Sequence, residues 1–150
     1  IICVAPDVGG VERARALGQK LNVGLAIVDK RRPAPGKSQV MNIIGNVKRK
    51  NCLLVDDIID SGGTIVSATK ALKEKRAKDV YVYVTHGVLS GNAVEQINNS
   101  KIKKLILTDT IDNSNKIKKS SKIVVLSISN LMAEAIKRIS NSTSVSDLFK

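Results

Sequence analysis

The chain has 150 residues, of which 43% are hydrophobic and 25% charged, a length and balance that suit one globular domain and exclude a disordered chain. The formal net charge of +12 makes nucleic acid a candidate partner, but two tyrosines and one phenylalanine are too few aromatic residues to stack bases, so we predict no nucleic-acid partner. No apolar run is long enough to cross a membrane and the first residues do not resemble a signal peptide, so we predict no membrane partner either.

Apolar, strand-like runs alternate along the chain with segments of helical period, which predicts βαβ units and a mainly parallel sheet flanked by helices. In chain order, the predicted strands are residues 1–5, 25–28, 52–55, 80–84, 105–107 and 123–126. The predicted helices are residues 11–21, 64–74, 91–98 and 131–139. Cys3 and Cys52 lie within predicted strands, and buried thiols of this kind are typical of a protein of the reducing cytoplasm. We expect one α/β domain over residues 1–150.

The alternation is interrupted after the second predicted strand. Residues 29–38 contain Pro33, Pro35 and Gly36 among four cations, a composition that predicts a long mobile loop. Residues 40–47 return to an apolar pattern and are predicted to form an extra strand, for which an antiparallel arrangement is one option.

Residues 52–64, with the sequence CLLVDDIIDSGGT, form the most informative segment. Ligands of open α/β sheets bind beyond the carboxyl ends of the strands, and this segment follows a predicted strand and opens a predicted helix. Its glycines allow a tight turn whose N–H groups point into one hollow, where the helix N-terminus adds partial positive charge. The segment therefore predicts a binding site for a phosphate monoester, formed by Asp56, Asp57, Asp60, Ser61, Gly62, Gly63 and Thr64.

Two neighbouring carboxylates in that segment indicate what accompanies the phosphate. Asp56 and Asp57 would repel a phosphate unless they bind the hydroxyls of a sugar or a divalent cation that offsets the charge. We therefore predict a sugar phosphate bound with magnesium. The alternative interpretation is structural: a strand followed by an acidic turn and a capped helix.

The same segment resembles the phosphoribosyl-diphosphate binding motif of type I phosphoribosyltransferases and ribose-phosphate pyrophosphokinases. Further motifs resemble the second family alone, at residues 5–10, 29–33, 40–45, 133–136 and 144–146. The resemblance implies a type I phosphoribosyltransferase-like fold with a long mobile catalytic loop. It covers only the C-terminal half of that family's subunit, so we expect that an N-terminal half is absent here and that these 150 residues are inactive alone.

The resemblance also implies an activity, the transfer of diphosphate from ATP to the anomeric hydroxyl of ribose 5-phosphate in a magnesium-dependent homo-oligomer. On that basis Lys30 and Arg32 are catalytic cations of the mobile loop, and Arg32 also grips substrate phosphate. Asp7, which follows the first strand, is by resemblance a magnesium ligand. Ser144, Ser146 and Phe149 resemble a regulatory phosphate and nucleotide site between subunits.

Other roles remain open. The chain could be a non-catalytic regulatory homologue of the synthetase or a type I phosphoribosyltransferase, which consumes phosphoribosyl diphosphate. Arg13 and Arg15, two positions apart on a predicted helix, are interpreted as surface or subunit-contact residues. His86, which ends a predicted strand, is expected to form a structural hydrogen bond near the sugar-phosphate site.

Overall fold

The computed structural model describes residues 1–31 and 40–149. Its strands are β1 (Ile2–Ala5), β2 (Gly24–Arg31), β3 (Val40–Ile44), β4 (Cys52–Ile59), β5 (Val80–Gly87), β6 (Lys104–Thr108) and β7 (Ile123–Leu126). They form one sheet in the order β3-β2-β1-β4-β5-β6-β7. The β2–β3 pair is antiparallel and every other neighbouring pair is parallel. The predicted fold class, a mainly parallel sheet flanked by helices, is confirmed.

Four helices lie where the helical period predicts them: α1 (Val11–Lys20), α2 (Gly63–Glu74), α3 (Ala93–Asn99) and α5 (Ser129–Ser140). Two further elements are not predicted from the sequence, the one-turn helix α4 (Ser114–Ile117) and a 3₁₀ helix at Ser146–Phe149. Both are four residues long, too short to show a period. Among the described residues, no helix has the length and apolar character needed to cross a membrane.

Burial explains the composition of the strands. Residues of one face of the sheet, such as Val4, Leu54 and Val82, are fully buried in the main core beneath α2 and α3. The other face packs against α1, where Ala14 and Val55 form a second, smaller cluster. Strands covered on both sides need apolar residues at every position, which gives the continuous Val, Ile and Leu runs of the sequence.

The sheet is covered unevenly near β7. Three of the four β7 residues are exposed, and so are apolar residues on α5. The exposed apolar surface of this region consists of Val124, Val125, Leu126, Leu131, Met132, Ile136 and Ile139.

The structure corrects the predicted loop at residues 29–38 at its beginning. Strand β2 continues through Arg31, because Asp29, Lys30 and Arg31 pair with residues of β3 in an antiparallel ladder. This backbone pairing satisfies the N–H and C=O groups despite the polar side chains. The rest of the predicted mobile loop lies outside the described residues.

Strand β4 is also longer than predicted. It runs to Ile59 rather than Val55, with Ile58 and Ile59 paired to the end of β5. Its neighbour β1 pairs with it only as far as Leu54. Asp56 and Asp57 therefore lie on a strand that extends beyond the end of β1, and not in a turn after the strand.

Candidate functional site

The strand order reverses at β1, because the chain builds β2 and β3 on one side of it and β4 to β7 on the other. Such a switch point leaves a crevice at the carboxyl ends of the two strands that flank it, here β1 and β4. A cavity of about 410 Å³ lies at this place. Its lining includes all the residues predicted from the segment at 52–64, namely Asp56, Asp57, Asp60, Ser61, Gly62, Gly63 and Thr64, together with Asp7 and Arg13.

One wall of the cavity is the N-terminus of α2. Gly62 precedes the helix with φ +82°, a left-handed conformation that favours glycine. Because this residue has no side chain, no side chain caps the first turn of α2. The first N–H groups of a helix have no partner within the helix, and their partial positive charge attracts anions. Ser61 and Thr64 are exposed and line the same cavity, so their hydroxyls can add donors.

Another part of the cavity lining carries the paired carboxylates. Asp56 is mostly buried and Asp57 mostly exposed, and the Asp57 N–H donates to Asp56 Oδ1 at 3.0 Å. Burial raises the pKa of the Asp56 carboxyl. For Asp57, desolvation also raises the pKa, but the hydrogen bond with Asp56 and the charge of Arg13 together outweigh it and hold the pKa of Asp57 below its ordinary value. The pair therefore offers acceptors of unequal basicity beside the helix N-terminus.

Arg13 joins the two carboxylates. Its Nη1 lies 3.3 Å from Asp56 Oδ1 and its Nη2 lies 2.6 Å from Asp57 Oδ2. The interpretation of Arg13 as a surface or subunit-contact residue is therefore wrong. Position along the chain gives little sign of this contact, because 43 residues separate Arg13 from Asp56. The sequence does contain one indication of the contact: Arg13 lies in the first turn of a predicted helix, where a cation is unfavourable without an acidic partner.

Asp7 lies at the β1 end of the cavity. Its Oδ1 accepts a hydrogen bond from the N–H of Gly10 at 3.0 Å, which fixes the turn before α1. The described residues contain no cluster of three or more possible metal ligands. Magnesium, however, is commonly held by one or two carboxylates together with substrate phosphates. A half-buried carboxylate in the lining of a cavity with room for a substrate phosphate fits that mode of binding. The ligand role of Asp7 stays a prediction.

The predicted catalytic cations are not among the described residues that line this cavity. Lys30 is half-buried in β2, paired with Met41 of β3, and does not line the cavity. Arg32 lies outside the described residues. Their catalytic roles stay predictions.

His86 makes the kind of contact expected from the sequence. Its Nδ1 lies 2.9 Å from Thr110 Oγ1, and Thr110 and Thr108 both donate to the carbonyl oxygen of Thr85. These residues tie the end of β5 to the end of β6, beside the strand that carries the acidic pair. The contact is structural.

The C-terminal residues predicted to be regulatory lie away from the cavity lining. The hydroxyls of Ser144 and Ser146 are 3.0 Å apart, and the Phe149 carbonyl accepts a hydrogen bond from Lys20 Nζ at 2.8 Å. Phe149 is 60% exposed. The regulatory role stays a prediction.

Comparison with known proteins decides the family. The phosphoribosyl synthetase-associated domain matches residues 30–150. The chain belongs to the phosphoribosyl synthetase-associated domain family. A curated relative from Hyphomonas neptunium, named ribose-phosphate pyrophosphokinase, is 58% identical over 150 residues that cover 99% of this chain and 48% of that protein. The predicted resemblance is confirmed.

Solved structures agree with this family. The phosphoribosylpyrophosphate synthetase from Mycobacterium smegmatis is similar with a TM-score of 0.85 and 37% identity, over 94% of this chain and 45% of that one. A purine phosphoribosyltransferase from Pyrococcus horikoshii has a TM-score of 0.50 and 24% identity over 60% of this chain and 64% of its own, a likeness of fold alone. The chain is similar in fold to both structures. It spans about half the length of the curated relatives that it matches.

Proposed function

We propose that the chain is the ribose 5-phosphate-binding half of a ribose-phosphate pyrophosphokinase. The complete enzyme transfers diphosphate from ATP to the anomeric hydroxyl of ribose 5-phosphate and forms phosphoribosyl diphosphate and AMP. The observation that carries the proposal is the cavity at the switch point, which is lined by both an uncapped helix N-terminus and a pair of carboxylates. Relatives that share more than half of their aligned residues with this chain and carry the enzyme's name support the reaction.

The two walls of the cavity suit the two ends of ribose 5-phosphate. The N–H groups at the start of α2, with the hydroxyls of Ser61 and Thr64, are donors for the phosphate oxygens. Asp56 and Asp57 are acceptors for the sugar hydroxyls. With both ends held, the anomeric hydroxyl is fixed in one orientation, which is the main way in which a protein accelerates phosphoryl-type transfer.

The ATP side of the reaction draws on Asp7 of this cavity and on two cations, Lys30 and Arg32. Magnesium, when bound, offsets charge on the transferring phosphates, and Asp7 is the residue of this chain that would hold it. Lys30 would stabilise charge at the transferring phosphate, and Arg32 would hold phosphate oxygens through its planar guanidinium. These assignments follow the family resemblance.

We further propose that these residues are the C-terminal half of a subunit that assembles with copies of itself in the cytoplasm. The exposed apolar surface on β7 and α5 supports this proposal, because a surface of this kind is typical of an interface. The relatives are also about twice as long as the matched region. This half would supply the sugar site, and the other half would complete the site for ATP.

Titration calorimetry of the chain with ribose 5-phosphate and magnesium tests the site. We compare the unchanged chain, the double variant Ser61→Ala/Thr64→Val, and Ser67→Ala as a matched control on an exposed position of α2 outside the cavity lining. We expect the double variant to bind at least about tenfold more weakly, because it loses both hydroxyl donors of the phosphate cradle. The control should bind as the unchanged chain does.

The results separate the parts of the proposal. Equal binding by the double variant overturns the assignment of the phosphate cradle, and no binding by the unchanged chain overturns the claim that this half carries a complete sugar site. AMP formation from ATP is followed in the same samples. We expect none, and turnover by these 150 residues would contradict the proposal that the other half is required.

A further inference from the structure

We propose that Arg13 is a positioning residue of the ribose 5-phosphate site, which holds Asp56 and Asp57 in place and offsets their charge so that the cavity accepts a phosphorylated sugar. This inference rests on the proposed function, and it adds a residue to which no role in the site has been given. It follows from the contacts of Arg13, from the charges around the cavity and from the local structure of α1.

The contacts of Arg13 form a fork. One guanidinium nitrogen contacts Asp56 and the other contacts Asp57, at 3.3 and 2.6 Å. A planar guanidinium that bridges two acceptors restricts both in position and angle, which a lysine ammonium does not do. The two ion pairs link α1 to the end of β4. At this point β4 extends beyond β1 and no longer pairs with it. Arg13 thereby replaces the missing strand as the support of the two carboxylates.

The charges of the cavity show what the fork does for a ligand. Among the described lining residues, Arg13 is the single cation, and it shares the cavity with the carboxylates of Asp7, Asp56, Asp57 and Asp60. A phosphate monoester carries between one and two negative charges near neutral pH. Without Arg13, no side-chain cation of the described lining would offset the repulsion between these acids and that ligand.

The local structure of α1 indicates that the Arg13 side chain is placed specifically for these contacts. Arg13 lies in the first turn of α1, where the helix dipole disfavours a cation. A Cβ atom added at Gly10 would lie 3.3 Å from Arg13 Nη1 and 3.2 Å from Pro6 Cδ, so the glycine before the helix leaves room for the guanidinium. Only one third of the Arg13 side chain remains exposed. Arg15, two positions further, is exposed and does not line the cavity.

The test compares Arg13→Met, Arg13→Lys and the matched control Arg15→Met, each checked for its melting temperature. Calorimetry with ribose 5-phosphate should show binding weakened roughly tenfold in Arg13→Met, partly restored in Arg13→Lys and unchanged in Arg15→Met. Carbon-detected NMR of the Asp57 carboxyl supplies a readout that needs no ligand. In Arg13→Met we expect its titration midpoint to rise relative to that of the unchanged chain.

Each outcome decides the inference. The inference is overturned if Arg13→Met has the affinity and the Asp57 titration midpoint of the unchanged chain. It is also overturned if Arg13→Met and Arg15→Met weaken binding equally, because net charge would then explain both effects. If the unchanged chain does not bind ribose 5-phosphate, the proposed function fails. An unmoved Asp57 midpoint in Arg13→Met would then overturn the positioning role as well, whereas a raised one supports it independently of the ligand.

Discussion

Gly62 packs against Ala93, and a Cβ atom added at Gly62 would lie 3.9 Å from the Ala93 Cβ, an ordinary van der Waals distance. Space therefore does not exclude a side chain at this position. The backbone does, because φ is +82°. The glycine is required by the shape of the turn that opens the phosphate cradle, and not by a close neighbour.

We expect Gly62→Ala to destabilise the chain by about 1–2 kcal/mol, the cost of a left-handed conformation for a residue with a Cβ atom. Gly63→Ala is the matched control. Gly63 is the first residue of α2 and an added Cβ would be 3.9 Å from Ser61 Oγ, so alanine should stabilise by about 0.5–1 kcal/mol. Urea unfolding measures both changes. Equal effects of the two substitutions would contradict this explanation of the turn.

The buried thiols give a second prediction. Cys52 is fully buried, and burial raises the pKa of its thiol to about 11. Compared with the ordinary value of 9.0, this leaves roughly 100-fold less thiolate at pH 8, and thiolate is the reactive form. In a Cys3→Ala variant, alkylation of Cys52 should therefore be at least about 100-fold slower in the folded chain than in urea.

Cys52→Ala, which leaves Cys3, is the matched variant. Cys3 is also fully buried, and burial raises the pKa of its thiol as well. Mass spectrometry of samples quenched over time follows both reactions. Labelling of either folded variant at the rate of the unfolded chain would show that the strands open readily.

The distribution of charge gives a third prediction. The loops before β4, β5, β6 and β7 all lie at the amino edge of the sheet, and Asp79 is their single acidic residue. Their cations are Lys48, Arg49, Lys50, Lys75, Arg76, Lys78, Lys101, Lys103, Lys118, Lys119 and Lys122. Two of these loops are joined by backbone hydrogen bonds, from Arg49 N to Arg76 O and from Lys78 N to Lys50 O. Like charges are thus held close together.

Because salt screens this repulsion, we expect the melting temperature to rise between about 0.02 and 0.2 M sodium chloride. The double variant Lys101→Gln/Lys103→Gln should show a smaller rise. Lys137→Gln, on α5 and outside these loops, is the control and should keep more of the salt dependence. A melting temperature that falls with salt would mean that attractive ion pairs dominate the surface.

The sequence predicts the strands and longer helices well because each carries its own period and apolar composition. It does not predict contacts that depend on how elements pack. Arg13 reaches Asp56 only because α1 lies beside β4, and Lys30 is in a strand only because its backbone pairs with β3. Residues 56–64 line one cavity because they are contiguous, running from the end of β4 through the turn into α2, so the sequence itself places them together.

Asp109 gives the last prediction, a dependence of stability on pH. Its carboxylate accepts a hydrogen bond from the Ile128 N–H at 2.9 Å, next to the start of α5. Hydrogen bonds from the Ser127 hydroxyl and from this N–H hold the pKa of Asp109 below its ordinary value. A carboxyl with a lowered pKa in the folded state contributes stability above its unfolded pKa, and this contribution is lost as pH falls through the folded value.

We therefore expect Asp109→Asn to lower the melting temperature at pH 7 and to have a smaller effect near pH 3, where the unchanged chain has begun to lose the same interaction. The control is Glu74→Gln, an exposed residue at the end of α2. Thermal unfolding followed by circular dichroism at the two pH values gives the comparison. If Asp109→Asn lowers the melting temperature equally at both, hydrogen bonding to the ionised carboxylate does not stabilise the start of α5.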